Sequence, residues 1–393
     1  MALKTLDSFH LSNARVLLRI DINSALRNGK PLDSPRFIEH SKTITELCDK
    51  KAKVVIIAHQ GRQGEADCIS LKHHSSILSK HIGKKVHFVN DLFGERASEY
   101  ITHLPPGEVL LLENTRFQDD ETSLGKKNRF KGFCSLFDFF INDAFSVSHR
   151  EQGSIIIPPM YLPSAIGRSF ENELKSADYF VKDKSGKKVY LLGGTKLDDY
   201  ISFFKVLKNK DNKILTSGVL GNAFIAAQGI DLGYENIWMK KKGFHILYPN
   251  LRYLFSKHPG QIILPIDFAI GNKKRKEILL SDTPSEEKIW DIGHMTSALF
   301  KEHISYAKAV FMKGPVGYSE DPKFSYGTVD ILKEISSQTI KKRCHSLLGG
   351  GHLTTTLTTY HIPNRFSSIS LSGGALMAYL AGDRLPGLEV LKK

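Results

Sequence analysis

Lys-Val-Tyr-Leu-Leu-Gly-Gly-Thr-Lys, residues 188–196, is a short aliphatic run that ends in two glycines and a lysine. Four later runs also end in glycine, at Ser217-Gly218, Lys313-Gly314-Pro315-Val316-Gly317, Gly349-Gly350-Gly351 and Gly373-Gly374. Glycine lets the backbone approach a ligand closely, and a helix that begins after such a turn can bind phosphate through its free N–H groups. One Gly-Gly pair is explained equally well by a tight turn, but the whole series predicts a nucleotide-binding edge.

Outward from this stretch, short β-branched and aliphatic runs alternate with longer amphipathic segments. The predicted strands of the first half are Val16–Ile22, Lys53–Ala58, Val86–Val89, Val109–Leu112 and Phe137–Ile141. Those of the second half are Lys188–Leu192, Lys213–Thr216, Gln261–Leu264, Ala309–Met312 and His345–Leu348, with Ile369–Leu371 as a short addition. The alternation predicts βαβ units and parallel sheets, and 393 residues are enough for two domains. Residues 163–182, between the two sets, predict an interdomain helix.

Charged and polar side chains follow the predicted strands of the first half, where open parallel sheets bind their ligands. They are Asp21, Asn23, Arg36, His59, Arg62, Arg116 and Arg150, with His149 beside the last of them. A single arginine of this kind is more often a surface ion-pair partner. Four arginines at one sheet edge predict a basic pocket for a small polyanion, because a guanidinium group can hold carboxylate or phosphate through two hydrogen bonds.

An arginine-lined sheet and a glycine-lined sheet together predict two anionic ligands held across a cleft. Phosphoryl transfer fits this arrangement, because it depends on positioning and charge stabilisation more than on covalent help from the protein. Arg36 and Lys196 are the predicted catalytic cations, which meet when the cleft closes and excludes water. The alternative for Lys196 is an ordinary exposed lysine at a strand end.

Several common classes are excluded by the motifs that the sequence lacks. There is no Gly-x-x-x-x-Gly-Lys-Ser/Thr loop, no Gly-x-Gly-x-x-Gly fingerprint, and no His-Arg-Asp or Asp-Phe-Gly element.

The four cysteines form no Cys-x-x-Cys pair, which predicts free thiols. No apolar run approaches the ~20 residues that span a bilayer, and the N-terminus lacks the hydrophobic segment of a signal peptide, so we expect a cytoplasmic protein and no membrane partner.

The net charge of +14 favours acidic partners. Lys240–Lys242 and Lys273–Lys276 either follow a nucleic acid backbone or form solvated faces. No RNA-binding signature, zinc finger or basic heptad array accompanies them, so we predict solvated faces and no nucleic acid partner.

These motifs, in this order, resemble those of phosphoglycerate kinases over nearly the whole chain. The matching segments are Arg19–Asn23, His59–Arg62, Leu112–Phe117, Asn142–Phe145 with His149-Arg150, Gly193–Lys196, Pro265–Asp267, Gly314–Gly317 and Gly349–Gly351. Asp-Ile-Asn-Ser, His59-Gln60 and Gly-Gly-Gly-His are similar to archaeal members.

The resemblance implies reversible phosphoryl transfer between 1,3-bisphosphoglycerate with ADP and 3-phosphoglycerate with ATP, in glycolysis and gluconeogenesis, with Mg²⁺ bound to the nucleotide. It implies that 3-phosphoglycerate is held by Asp21, Asn23, Arg36, His59, Arg62, Arg116 and Arg150. It implies that ADP or ATP is held by Gly194, Lys196, Gly218, Gly314, Gly317, Glu320, Gly349, Gly350, Gly351, His352, Leu353 and Thr354. Glu320 is placed to accept from the ribose hydroxyls.

The resemblance also implies a domain organisation. The 3-phosphoglycerate-binding domain comprises residues 1–162 plus about 375–393, because the C-terminal tail returns to it. The interdomain helix is 163–182 and the nucleotide-binding domain is 183–374. The predicted fold is therefore α/β, with two Rossmann-like parallel-sheet domains that face each other across a hinged cleft. A monomer is expected.

Three positions depart from the family pattern. His352 stands where the commonest form has an aspartate that meets Mg²⁺, and a neutral imidazole is a poor ligand for this hard cation. Magnesium is then expected to be held by phosphates and water, with Asp199 as a candidate protein ligand. Tyr200 stands where many members carry a second lysine, and Lys313 where asparagine is usual.

Two alternatives to this function stay open at the level of sequence. One is a catalytically weak relative that binds a ligand or RNA, suggested by His352, Lys313 and the charge. The other is a kinase of the same architecture that acts on a different phosphorylated acid. The presence of Arg36 and Lys196 disfavours the first, and the set of four arginines disfavours substrates with fewer negative charges.

Overall fold

A computed structural model of the protein describes residues 3–183, 186–195, 197–271 and 274–392, without the side chains of Asp198 and Asp199. The chain divides into two compact units. Unit 1 comprises Met1–Lys175 with Arg384–Lys393, and unit 2 comprises Ser176–Asp383.

Unit 1 is built around a sheet of six parallel strands, in the order β5-β6-β4-β1-β7-β8. Its strands, with the small β2–β3 hairpin, are β1 (Arg15–Arg19), β2 (Leu26–Arg27), β3 (Lys30–Pro31), β4 (Lys53–Ile57), β5 (Val86–Phe88), β6 (Val109–Leu111), β7 (Phe139–Asn142) and β8 (Ser164–Ile166). Its helices are α1 (Pro35–Asp49), α2 (Lys72–Ile82), α3 (Glu95–His103), α4 (Phe130–Phe133), α5 (Gly153–Ile156), α6 (Pro158–Tyr161) and α7 (Arg168–Val181), the last of which continues into unit 2.

Both faces of this sheet are buried, which explains the continuous apolar runs of its strands. Val54 and Ile56 of β4 pack with α1 and α2 into one core cluster. Val55 and Ile57, which point to the opposite face, pack with residues of α3 and α4 into a second.

Unit 2 contains a second sheet of six parallel strands, in the order β11-β10-β9-β15-β16-β17. Its strands, including a separate antiparallel sheet β13-β12-β14, are β9 (Lys188–Leu192), β10 (Lys213–Thr216), β11 (Ile262–Ile263), β12 (Asp267–Ile270), β13 (Lys276–Leu279), β14 (Ile289–Ile292), β15 (Ala309–Lys313), β16 (His345–Gly349) and β17 (Ser368–Ser370). Its helices are α8 (Asp198–Ile201), α9 (Gly218–Ala227), α10 (Tyr234–Lys241), α11 (Tyr248–Lys257), α12 (His294–Ser305), α13 (Tyr326–Ile340), α14 (Gly351–Thr359) and α15 (Gly374–Leu380).

Helix α16 (Pro386–Glu389) follows in unit 1, and short 3₁₀ turns complete the connections. These turns are Leu6–Ser8, Thr115–Phe117, Asp119–Glu121, Cys134–Leu136, Phe145–Val147, Ser202–Lys208, Phe244–Leu247, Leu280–Asp282, Pro322–Phe324 and Val390–Lys392. No helix within the described ranges combines the length and apolar character needed to cross a bilayer.

The two parallel sheets confirm the predicted α/β class, but the helix at 163–182 begins later than predicted. Ser164–Ile166 form β8, which pairs with β7 at the edge of the first sheet. Helix α7 begins only at Arg168, because the Asp143 carboxylate accepts hydrogen bonds from the first free amides, those of Ser169 (2.9 Å) and Phe170 (3.2 Å).

The return of the tail to unit 1 also begins later than residue 375. Helix α15 stays with unit 2, where the Tyr379 hydroxyl donates to Asp178 of α7. From Arg384 onward the chain belongs to unit 1, where the Gly387 amide donates to the Ser148 carbonyl over 2.9 Å. A Cβ atom at Gly387 would collide with Ile155, so glycine is required for this contact.

Candidate active site

Four neighbouring strands of the first sheet, β6, β4, β1 and β7, carry the predicted anion-binding residues just beyond their carboxyl ends. Asp21 follows β1, His59 follows β4, Arg116 lies in the 3₁₀ turn after β6, and Arg150 follows β7. Because the strands are parallel and adjacent, residues far apart in sequence lie at one edge of the sheet.

Asp21 is the acidic centre of this edge. Arg36 Nη1 and Ser146 Oγ both donate to its Oδ2 atom, and the Asn23 amide donates to Oδ1 over 3.1 Å. Helix α1 starts at Pro35, which is preorganised for a first helical turn, and this places Arg36 beside the carboxylate. Burial raises the pKa of Asp21, but the charge of Arg36 and the Ser146 hydrogen bond outweigh burial and hold the pKa well below its usual range. Asp21 is therefore ionised at neutral pH.

The remaining arginines bring an excess of positive charge to the same edge. Burial lowers the pKa of Arg150, the charges of Arg116 and Arg62 lower it further, and Asp21 opposes them. These groups are thus close enough to interact electrostatically. Arg116 is buried, and its Nε atom has no hydrogen-bond partner within the described part of the chain. Arg62, Arg116 and Arg150 form no ion pair with any carboxylate described there, so the edge is suited to an anionic ligand.

His59 is in contact with the side chain of Arg19, which the sequence analysis did not select as a binding residue. Arg19 has no exposed surface, and its Nη2 atom lies 3.2 Å from His59 Nδ1. Burial lowers the pKa of His59 to about 3, against the attraction of Asp21, and the charges of Arg19 and Arg116 act in the same direction as burial. The imidazole is therefore neutral at physiological pH and binds as a hydrogen-bonding group.

This depressed pKa predicts a pH-dependent stability. Between pH 6 and pH 4 the unfolded chain protonates His59 and the folded chain does not, so the free energy of unfolding must fall as the pH falls. In His59→Gln we expect this slope to be smaller by up to about 1.4 kcal/mol per pH unit. Urea unfolding followed by far-UV circular dichroism measures it, with exposed His73→Gln as the control. A slope that His59→Gln leaves unchanged contradicts the buried, neutral imidazole.

Unit 2 contains a cavity of about 580 Å³ at the carboxyl ends of β9, β10, β15 and β16. Nine of the predicted nucleotide-binding residues line it, namely Gly194, Gly218, Gly314, Gly317, Glu320, Gly349, Gly350, Gly351 and His352. Glycine is required where the turns touch, since a Cβ atom at Gly193 would collide with the Pro315 carbonyl oxygen. The backbone itself therefore forms this wall.

The segment 350–354 contributes backbone to the cavity wall and a side chain to the core of unit 2. Gly350 has a φ of +108°, and α14 begins directly after it, so the first amides of this helix have no partner within the helix. The Leu353 side chain packs into the unit 2 core, and neither it nor Thr354 lines the cavity. Any contact of Leu353 with a nucleotide would have to involve its backbone amide.

Two of the residues that the sequence analysis placed near the nucleotide phosphates lie outside the described part of the chain. Lys196 lies outside the described residues, and so does the side chain of Asp199. His352 Nδ1 lies 3.2 Å from Glu320 Oε1 at the cavity rim. Among the described residues, no three His, Cys, Asp or Glu side chains cluster as metal ligands would.

Several cavity residues were missed by the sequence analysis because they follow no glycine-rich turn. They are Asn222, Glu235, Trp238, Lys288 and Trp290, among others. Tyr200 and Lys313, noted only as departures, also line the cavity, and the Lys313 Nζ atom lies 5.2 Å from the centre of the Tyr200 ring. The Tyr200 hydroxyl donates to the Gly193 carbonyl over 2.5 Å, which ties α8 to the glycine turn.

Comparison with known proteins decides the family. A family model described as phosphoglycerate kinase matches residues 6–383. The chain belongs to the phosphoglycerate kinase family. The phosphoglycerate kinase of Methanothermus fervidus is 38% identical over 401 residues, which cover 99% of this chain and 97% of the relative. That of Sulfurisphaera tokodaii is 38% identical over 403 residues, which cover 98% and 95%.

Solved phosphoglycerate kinases share the fold over the full length. The crystal structure of the enzyme from Pyrococcus horikoshii OT3 has a TM-score of 0.90 at 33% identity and covers 99% of this chain and 98% of its own. The structure from Coxiella burnetii has a TM-score of 0.82 at 26% identity and covers 100% and 99%. The predicted resemblance and the predicted fold class are both confirmed.

Proposed function

We propose that the protein is an ATP:3-phospho-D-glycerate 1-phosphotransferase, which transfers a phosphoryl group reversibly between 1,3-bisphosphoglycerate with ADP and 3-phosphoglycerate with ATP. Its membership of the phosphoglycerate kinase family supports this activity. The observation that carries the proposal within the molecule is the group of arginines around Asp21, whose positive charge exceeds that of the nearby carboxylate. A substrate with a phosphate and a carboxylate provides the missing negative charge.

On the acid side, we assign the phosphate of 3-phosphoglycerate to the arginines that have no carboxylate partner, Arg62, Arg116 and Arg150. Neutral His59 and Asn23 would contribute hydrogen bonds without further charge. Arg36 would stabilise the negative charge of the reacting group. Asp21 fixes one nitrogen of this guanidinium, so that the side chain is oriented before the substrate arrives.

In the reaction that we propose, a carboxylate oxygen of 3-phosphoglycerate forms a bond to the γ-phosphorus of ATP. The bond between that phosphorus and the bridging β–γ oxygen breaks, and ADP leaves with the electron pair. No proton has to be transferred, so the protein needs no general base. Its task is to align the two oxygens and to stabilise the negative charge of the transferred group.

On the nucleotide side, we assign the phosphates to the glycine turns and to the first turns of α9 and α14, where free amides favour anions. Glu320 at the rim would accept from the ribose hydroxyls, and Lys196 would approach the transferred phosphate. Magnesium supplies charge neutralisation as part of the Mg·ATP substrate. We further propose that the enzyme acts in the cytoplasm as a monomer.

A coupled assay with 3-phosphoglycerate and Mg·ATP tests the proposal. We expect ADP formation that depends on 3-phosphoglycerate, with a turnover on the order of 1–10³ s⁻¹. Glycerate and 2-phosphoglycerate serve as matched controls and should support much slower turnover, because each presents a different charge pattern to the arginines. No turnover with any of these acids contradicts the proposal, and faster turnover with a control acid assigns the kinase to another substrate.

A further inference from the structure

One part of the cavity wall differs from the glycine turns. It is formed by Glu235 and Trp238 of α10, by Trp290 of β14, and by Lys288 just before that strand. The Lys288 ammonium lies 4.9 Å from the centre of the Trp238 ring and 4.2 Å from that of Trp290. This wall therefore combines two indole rings with an ammonium group, and its aromatic surface is suited to a flat heterocycle.

The start of α10 is fixed against the loop before β14, which determines where Glu235 points. The Tyr234 amide donates to the Ser285 carbonyl over 2.8 Å. Gly233 has a φ of +68°, and a Cβ atom there would collide with Ser285. This tight crossing places Glu235, the second residue of the helix, against the cavity with only 1% of its surface exposed.

Of the two carboxyl oxygens of Glu235, one accepts a hydrogen bond from a side chain and the other has no hydrogen-bond partner among the described residues. Its Oε1 atom accepts a weak hydrogen bond from Asn222 Nδ2 over 3.4 Å, and the carboxyl also accepts from the Ile289 backbone. The buried Oε2 atom has no partner among the described residues, and neither has the indole Nε1 atom of Trp290. Buried polar atoms are rarely left without a partner, so an unused acceptor and an unused donor on one cavity wall point to a ligand.

We propose that Glu235 accepts a hydrogen bond from the exocyclic amino group of the nucleotide's purine base, so that the enzyme selects adenine over hypoxanthine. The inference rests on the proposed function, since it concerns the base of the phosphoryl donor. The Trp290 indole N–H provides a donor for a ring nitrogen of the same base.

The chemistry of Glu235 decides between bases. Adenine carries an amino group at carbon 6, whose N–H meets the free oxygen. Hypoxanthine carries a carbonyl oxygen there, so that this oxygen and Oε2 of the ionised Glu235 would be two acceptors with no hydrogen between them. Guanine is normally held by a carboxylate through both oxygens, but only Oε2 is unused here. A site built for an N–H group discriminates strongly against a base that lacks it, because its own polar atom is then left unpaired.

Equilibrium binding of ADP and IDP to the full chain tests whether Glu235 selects adenine over hypoxanthine. We expect the wild-type protein to bind ADP about 10- to 100-fold more tightly than IDP. Glu235→Leu, which removes the acceptor and keeps an apolar filling, should reduce this preference to within about threefold. The exposed Glu286, near Lys288 in sequence but outside the cavity wall, gives the matched control Glu286→Leu, which should keep the wild-type ratio.

Glu235→Gln gives a sharper outcome. Asn222 donates to the Oε1 side, which favours an oxygen there, so the new amide nitrogen takes the place of Oε2. An acceptor becomes a donor, and IDP should then bind at least as tightly as ADP.

Three results would overturn the inference: no wild-type preference, a preference that persists in Glu235→Leu, or, if that variant does not fold, one that persists in Glu235→Gln. Turnover of 3-phosphoglycerate with Mg·ATP and Mg·ITP separates this failure from a failure of the proposed function. Equal use of both nucleotides removes only the role of Glu235, whereas the absence of turnover with either removes the proposed function itself.

Discussion

Arg36→Ala is expected to lower kcat for 3-phosphoglycerate phosphorylation by at least about 100-fold. The guanidinium group is the proposed stabiliser of the transferred phosphoryl group, and its negative charge is greatest in the transition state. Removing a group of this kind acts on kcat more than on KM, because the ground state loses less. Steady-state kinetics with saturating Mg·ATP and varied 3-phosphoglycerate separate the two effects.

Two further variants make this result specific. Arg36→Lys keeps the charge but loses the planar fork that reaches both Asp21 and a ligand, so we expect only partial recovery. Arg15→Ala removes an arginine from the opposite, amino end of β1, where it lies 3.8 Å from Asp138. This variant should retain wild-type kcat. A near-normal rate in folded Arg36→Ala would remove Arg36 from the transfer step.

Arg36→Ala also leaves the Asp21 carboxylate buried without its ion pair. The same variant should therefore be less stable, and the pKa of Asp21 should rise because burial is no longer opposed by Arg36. The loss of activity has to be measured at a temperature where far-UV circular dichroism shows the variant to be folded. Ser146 still donates to Asp21, which limits the damage.

The sequence predicted the strand ends well because both of their signals are local. Glycine after an aliphatic run and arginine after another are visible without knowledge of the fold. Parallel pairing then brings the arginines to one edge of the first sheet and the glycines to one edge of the second. The prediction of β9 was correct to the residue, since Lys188–Leu192 is β-branched and aliphatic and is bounded by glycine. The roles of these residues in binding stay predictions.

The elements that were missed depend on tertiary contacts. The antiparallel strands β12, β13 and β14 are only four residues long each, and β13 is largely exposed, so no continuous apolar run marks it. β8 is three residues long and precedes a helix without a loop that would signal its end. Glu235 and Trp290 are distant in sequence, and only the crossing at Gly233 brings α10 and β14 to one wall. No local pattern could have predicted that wall.

Arg19 is the clearest case, because an arginine inside a strand would ordinarily be assigned to the surface. Instead it and Glu121 have no exposed surface, and their charged groups lie 3.8 Å apart. Arg19 also donates to Ser154 Oγ over 3.0 Å, and Ser154 donates to Glu121 through both its amide (3.1 Å) and its hydroxyl (2.9 Å). The network connects β1 to α5 and to the 3₁₀ turn Asp119–Glu121.

Arg19→Met is therefore expected to destabilise unit 1 by about 3–5 kcal/mol, because it leaves the Glu121 carboxylate buried without a counter-charge. Glu121→Leu should be costly for the converse reason. In the double variant neither charge remains, so its loss should be smaller than the sum of the single losses by about 1–3 kcal/mol. Urea unfolding must be followed by far-UV circular dichroism, since both tryptophans, Trp238 and Trp290, lie in unit 2. Single losses that add within about 0.5 kcal/mol would mean that the two charges do not stabilise each other, and the support of His59 would then have to come from the hydrogen bonds of Arg19 alone.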